Sequence, residues 1–587
     1  MNPIFAFVSC RFGVILFLGC LLSTGCSRPN TSDASEYAEF VFTNGSIYTG
    51  DSSKPWVSSI GISDGKLLYV GDEIGLRKVV ASETQRYDLQ GNVVLPGLHD
   101  QHVHALWGGL VYSGADRTKC VIPQGLAVDD FLELLKTCVS KATKSEWITG
   151  GQWDVLALGV NPHRELLDKI STDVPILLDD TSGHGAWVNS LALKMAGVDS
   201  ETVAPSGGGV IERDASGEPT GVLWETAIDL VRNKIPLTSD NILRESLIWS
   251  LNEMLSHGIT SFTEASNGFV AGSLKEAQLY SELAGEGVLK QRARLCLNWN
   301  WYSRDGTNLS VIENRKQYIG GRLNLDCVKI YLDGVPTEAH TAAMLEPYAR
   351  THKGSNEQTD SGSLVLEQSE TNQAVIKFDK EDLSVKFHAA GDAAVRSGLD
   401  ALETAYKQNG SPSLRHSIGH SGFIDKTDLP RAYKLNATFE MSPYLWTPSP
   451  IANELAREVG AERAERAWPV RDAIDAKALV VAGSDWAVVP SVNPWIGIET
   501  LVTREQVGGS EKSFGKSQAI SVLEAINLFT VNAAKHMNKE DRLGRIAEGM
   551  LADLIVIDRN PLDIPASEIH KIQVILTMIE GEVVYQK

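Results

Sequence analysis

From Ile259 to Trp486 one pattern keeps returning: a short apolar run, a few polar residues, then a helical stretch. "ITSFTEA" leads into "AGSLKEAQLYSELAGEG" and "LSVKFHAAG" into "DAAVRSGLDALETAYKQNG", while "LDCVKIYLDG" and "ALVVAGSDW" are further strand-like runs. Strand, polar residues and helix repeated over several hundred positions predict an α/β chain, a (β/α)8 TIM-like barrel. A doubly wound sheet is the alternative. No glycine-rich phosphate fingerprint follows the first strand, which counts against it.

The chain ends read differently. "EFVFTNGSIYTG", "SSIGISDGKLLYVG" and "QRYDLQGNVVLPG" are short β-rich runs broken by Asn-Gly and Asp-Gly, which supply the positive φ that tight hairpins need. "ADLIVIDRN" and "IQVILTMIEGEVVYQK" repeat the style at the C-terminus. Each group is small for a core of its own, so residues 38–96 and 545–587 are expected to pair into one small β-sandwich, with the barrel spanning 97–544. Two stretches break the barrel rhythm and read as insertions above its C-terminal face: "SGGGVIERDASGEPTGVLWE", a hairpin, and "LEPYARTHKGSNEQTDSGSLV", a long polar loop.

Composition limits the function classes. With 43% hydrophobic and 22% charged residues the chain is globular, and its formal net charge of -20 argues against nucleic acid, leaving a small molecule as the expected partner. Arg11 followed by the apolar stretch Phe12 to Leu22 and "LLSTGC" reads as a signal peptide over 1–25, too short to span a bilayer. Gly25 before Cys26 resembles a bacterial lipobox. The expectation is an exported protein held at the cell envelope by lipid on Cys26, with 26–37 as a polar tether and no other membrane contact; an ordinary cleaved signal is the alternative. Cys120, Cys138, Cys296 and Cys327 lack CxxC spacing and are expected as small buried hydrophobes, with a Cys120–Cys138 disulfide as the exported alternative. Oligomeric state is not legible.

The chemistry begins at "VVLPGLHDQHVHALWGG". Side chains two apart on a strand share a face, so His102 and His104 converge on one point, and one divalent metal, zinc or a similar ion, can take both. His388 in "SVKFH", His420 in "RHSIGH" and Asp485 in "VVAGSDW" each end an apolar run, and the strand ends of a barrel share one face. Lys329 in "CVKIYLDG" is apolar-flanked, which costs an ammonium dearly unless it is chemically altered or paired, for instance with Asp333. His99 is odd-spaced from the pair and is expected to be structural. Trp446, with Tyr444, is a candidate pocket residue, with core packing as its other fate.

The order "HVH", "VKIYLDG", "HAAGDAAV", "IGH", "GSDW" and "GRIAEGMLADLIVIDRNPL" resembles the metal-dependent amidohydrolase superfamily, and within it amidohydrolase family 3, with its YtcJ-like proteins and N-substituted formamide deformylases. The resemblance implies His102, His104, His388, His420 and Asp485 as metal ligands, and Lys329 as a carboxylated bridge where two ions bind. It also implies His184, and more weakly Trp224 and Glu225, near the substrate. The chain departs from the family at Gly419, where relatives carry glutamate, and at "HAAGD" for "HAIGD". The implied activity is hydrolysis of a non-peptide C–N bond by metal-activated water, with Asp485 moving the proton and His420 helping to stabilise the oxyanion. A lactonase or esterase on the same site, and a lipid-anchored metal- or solute-binding protein without turnover, are the alternatives.

Overall fold

The computed structural model describes residues 37–181, 183–205, 208–300, 306–350 and 360–587. The stretches expected as a signal peptide and, up to Glu36, as a tether, Cys26 among them, lie outside the described residues, as does the middle of the polar loop expected after Leu345.

Eight parallel strands form the central sheet, in consecutive order. They are β1 (Leu98–Val103), β2 (Ile259–Asn267), β3 (Arg292–Asn298), β4 (Leu323–Tyr331), β5 (Ser384–Ala389), β6 (Ser417–His420), β7 (Thr438–Met441) and β8 (Leu479–Ala482). β5 shows why such strands lack simple alternation. Val385, Phe387 and Ala389 belong to the apolar core, whereas Lys386 and His388 between them are also buried, one carrying charge and one chemistry. The helices that follow are amphipathic in the usual way: Asp392–Asn409 buries Val395, Leu399 and Leu402 along one face. The ring closes at its C-terminal end, where Val103 bridges to Trp486 and the Asp485 N–H donates to the His102 carbonyl at 2.7 Å. Two of the expected metal ligands, His102 and Asp485, therefore also join the barrel's ends through their backbones.

The two chain ends meet as expected. Val93–Pro96 pairs antiparallel with Leu554–Ile557 inside a six-stranded sheet, and a four-stranded sheet built from Phe40–Thr43, Ser59–Ser63, Lys66–Gly71 and Gln85–Asp88 shares its core. Phe42, Ile60 and Ile62 pack there with Val94, Leu554, Val556 and Met578.

The insertion after β1 is larger than the hairpin read from the sequence. Val210–Arg213 and Pro219–Trp224 do form that hairpin, but they are the edge of a second six-stranded sheet continuing through Gly185–Val188, Ile176–Asp180, Ile148–Trp153 and Lys119–Val121. Its core is aromatic, with Trp153, Trp187, Trp224 and Phe131 in contact. The expectation of four buried free cysteines is corrected, once by the Cys120–Cys138 disulfide held as its alternative and once by a bond that was not expected. Cys120 is bonded to Cys138, and Cys296 to Cys327, the latter because β3 and β4 set the two directly opposite with Cα atoms 4.3 Å apart.

Candidate metal centre

The strand ends deliver most of the expected residues to one cleft. His102, His104, Lys329, His388, His420 and Asp485 all line it, together with His184, Glu225, Tyr331, Trp107, Phe269 and Arg232. Asp485 is the hub. Its Oδ1 lies 3.5 Å from His102 Nε2 and 3.4 Å from His104 Nε2, and its Oδ2 lies 3.5 Å from His420 Nδ1. Donor atoms of His102, His420 and Asp485 fall within 4.8 Å of one another. The His388 ring centroid is 4.4 Å from that of His420. His420 and Asp485 both have left-handed backbone, φ 64° and 61°, a conformation that non-glycine residues hold only where surrounding structure imposes it.

The donors suit a divalent cation. Burial pushes His102, His388 and His420 well below the ordinary histidine pKa, so each presents a neutral imidazole. His102 Nε2 is buried without a hydrogen-bond partner among the described residues. Its Nδ1 faces Glu440 Oε1 at 2.5 Å, which puts the proton there and leaves the Nε2 lone pair directed at the cluster. His388 donates from Nε2 to the Gly334 carbonyl at 2.9 Å, freeing Nδ1 in the same way. Burial would raise the pKa of Asp485, but His102, His104 and Lys329 outweigh it and keep the carboxylate ionised. At His104 burial favours neutrality, whereas hydrogen bonds and charge from Asp485 and Glu264 lift the pKa to about 9. Carboxylates that attract a proton there attract a cation equally.

Lys329 is fully buried, its pKa depressed to about 7 first by burial and then by Lys386. Its Nζ lies 5.1 Å above the Tyr331 ring. Pairing with Asp333 is not what the fold makes: that carboxylate instead accepts backbone N–H groups from Ala343, Ala390 and Gly391.

His184 and Glu225 reach the cleft from the inserted sheet. His184 Nδ1 is 2.8 Å from Glu225 Oε2, and Thr341 Oγ1 donates to Glu225 Oε1 at 2.6 Å. Burial lowers the His184 pKa, but Glu225 more than compensates, so the imidazole carries its proton higher than usual. Glu225 too has left-handed backbone, φ 52°. Trp224 is buried in the aromatic core of the insertion. Trp446 is corrected: it lies fully buried in the core, where its ring is held by the Trp468 ring stacked at 5.7 Å and the Arg504 guanidinium at 4.4 Å. Tyr444 is buried beside it. His99 is fully buried away from the cleft, with burial pushing its pKa down to about 3.

Sequence reading missed the layer behind the donors. Lys386 forms an ion pair with Glu440 and donates to the Gln101 carbonyl at 2.9 Å. Glu264 accepts from the Ala105 N–H at 2.9 Å and the Tyr280 hydroxyl at 2.8 Å while flanking His104. Asp100, its pKa raised to about 7 by burial, accepts N–H groups of His102 and Ser484 and so ties β1 to β8. A signal existed for Lys386 in "SVKFH" and Glu440 in "ATFEM", charges inside short strand-like runs, whereas Asp100 and Glu264 sit among polar neighbours. Gly419 also becomes intelligible. A Cβ there would come within 2.5 Å of the Phe387 carbonyl and 3.4 Å of Glu440 Oε1, so a carboxylate from the adjacent strand fills the space.

The amidohydrolase family model matches residues 85–585. The chain belongs to the amidohydrolase family. This amidohydrolase is 29% identical over 570 residues to Protein LONG AFTER FAR-RED 3 of Arabidopsis thaliana, covering 94% of this chain and 93% of that protein. It is 25% identical over 565 residues to the N-substituted formamide deformylase of Arthrobacter pascens, covering 94% and 98%. Among solved structures it is similar to an uncharacterized metal-dependent hydrolase from Pyrococcus furiosus, with TM-score 0.65 and 25% identity over 89% of this chain and 100% of that one. Family and cleft together make the amidohydrolase a metal-dependent hydrolase.

Proposed function

We propose that the protein hydrolyses a non-peptide C–N bond of the N-acyl or formamide type. The observation that carries this reading is Asp485: an ionised, buried carboxylate within 3.5 Å of three imidazoles, two of which have a buried nitrogen without a hydrogen-bond partner among the described residues. His102, His104, His388, His420 and Asp485 would hold the ion, and Lys329, once carboxylated, would bridge to a second. Nitrogen donors with one carboxylate suit zinc. A zinc ion bound there supplies Lewis acidity, bringing water toward a pKa of about 7.

The chain's own groups do the rest. Asp485 Oδ2 takes a proton from the attacking water and returns it to the departing nitrogen, a step amides need because an amine anion is a very poor leaving group. That need favours C–N over ester cleavage. His184, whose pKa Glu225 raises, donates a hydrogen bond to the substrate carbonyl oxygen as charge builds there. His420, whose Nδ1 is 3.5 Å from Asp485 Oδ2, would share that stabilisation. A relative named N-substituted formamide deformylase supports the substrate class.

Export with a lipid anchor on Cys26 is part of the proposal, supported by two disulfides of the kind that persist in oxidising compartments. Chelator should abolish hydrolysis of an N-acyl amine and added zinc restore it. Cleavage of the matching ester with none of the amide would overturn the C–N reading in favour of the esterase.

A further inference from the structure

Beside the catalytic cleft lies a second cavity of about 250 Å³ that none of these steps uses. It is bounded by the first turn of the helix Asp240–Ser256, the loop 233–239 before it and the inserted sheet at Leu177. Trp107, Phe269 and Arg232 line both spaces. The partition between them is therefore made of side chains. The Trp107 and Phe269 rings are 5.2 Å apart, and their centroids lie 6.1 and 6.0 Å from that of His104.

The character of the annex changes beyond that partition. Arg232 lies 5.6 Å over the Phe269 ring and is met by Asp179 at 3.5 Å and Asp229 at 3.6 Å, so its charge is balanced within the protein. An anionic group arriving there would face Asp179, one of three carboxylates, with Asp116 and Glu146, that line the annex beside Lys119. Leu177 and Ile242 supply apolar wall, and Leu237 at the rim is 72% exposed.

We propose that this annex receives a neutral apolar arm of the substrate, an alkyl chain or aryl ring, whose scissile group sits beside Asp485. The substrate class is thus an amide carrying an extended hydrophobic substituent. The inference rests on the C–N reading for what is cleaved, though not for what is bound.

The test uses methyl n-alkyl ketones, which keep the carbonyl and chain but cannot be hydrolysed, titrated calorimetrically into the zinc-loaded protein from butanone upward. Kd should fall about two- to fourfold per added methylene until the annex is full. Ile242→Trp, which fills the chamber, should flatten that series. Leu237→Asp, at an exposed position where folding is not at stake, should remove the increments of the longest chains. A flat series in the unmodified protein, or an undiminished slope in Ile242→Trp, would overturn the annex. N-alkylformamide turnover separates the two readings: ketones that bind by chain length while no amide is cleaved sink the C–N reading alone, and amides cleaved with a flat ketone series sink the annex alone.

Discussion

His102 Nδ1 lies 2.5 Å from Glu440 Oε1, and the other oxygen of that carboxylate is paired with Lys386. A metal-facing imidazole on β1 is thus oriented by a carboxylate on β7 that a lysine on β5 holds in place. All three groups are buried, so none can turn to water if a partner is lost. Glu440→Gln should therefore lower zinc affinity about 10- to 100-fold, read by competition with a chromogenic chelator, while circular dichroism stays native.

Asp485→Asn keeps the shape of the hub and removes its basicity. Turnover of an N-acyl amine should fall about 10²- to 10⁴-fold with the fold retained. An unchanged kcat would remove Asp485 from proton transfer.

The pair His184–Glu225 acts from outside the barrel. His184→Asn should lower kcat more than it raises KM, since the hydrogen bond strengthens as the carbonyl oxygen gains charge, with a loss of about 10- to 100-fold in kcat/KM. Glu225→Gln should move the alkaline limb of the pH–rate profile to lower pH, because the carboxylate is what lifts the His184 pKa.

The loop after β4 is latched by His340, whose Nδ1 meets Asp360 at 2.6 Å and whose Nε2 meets Glu458 at 3.0 Å. Its ring stacks on Tyr348 at 4.0 Å, and Arg457 and Arg350 sit on the far side of Glu458. Burial pulls its pKa down, but Glu458 and Asp360 outweigh that and raise it above the ordinary 6.5. A raised folded pKa means the latch contributes fully below 6.5 and fades as pH climbs through the folded value. The stability advantage of the natural protein over His340→Gln, about 1 kcal/mol by urea unfolding at about pH 6, should shrink as the pH is raised through the folded pKa above 6.5. A difference independent of pH would show that His340 packs without titrating.

Much of the fold was legible because its determinants are local. Strand-like runs such as "SVKFH" and the helix beginning at Asp392 announce themselves through short-range periodicity, and His102 and His104 converge because strand geometry alone puts alternate residues on one face. The insertion was only partly legible. "VIERDASGEPTGVLW" reads as a hairpin, but nothing within it tells that Trp224 and Trp187 join a common core across a long stretch of chain. Trp446 misled for a similar reason: an aromatic after a strand end can line a cleft or pack into the core, and its distant partners Trp468 and Arg504 decide.

The sequence by itself determined which residue types end which strands, and hence that imidazoles and one carboxylate would gather on one rim. Only the tertiary structure decided how each donor is oriented and charged. Glu440 meets His102 across 338 positions of chain and Glu225 meets Thr341 across 116, distances over which periodicity carries no information. Which nitrogen keeps its proton, and which carboxylate stays ionised, follows from burial and from such long-range neighbours.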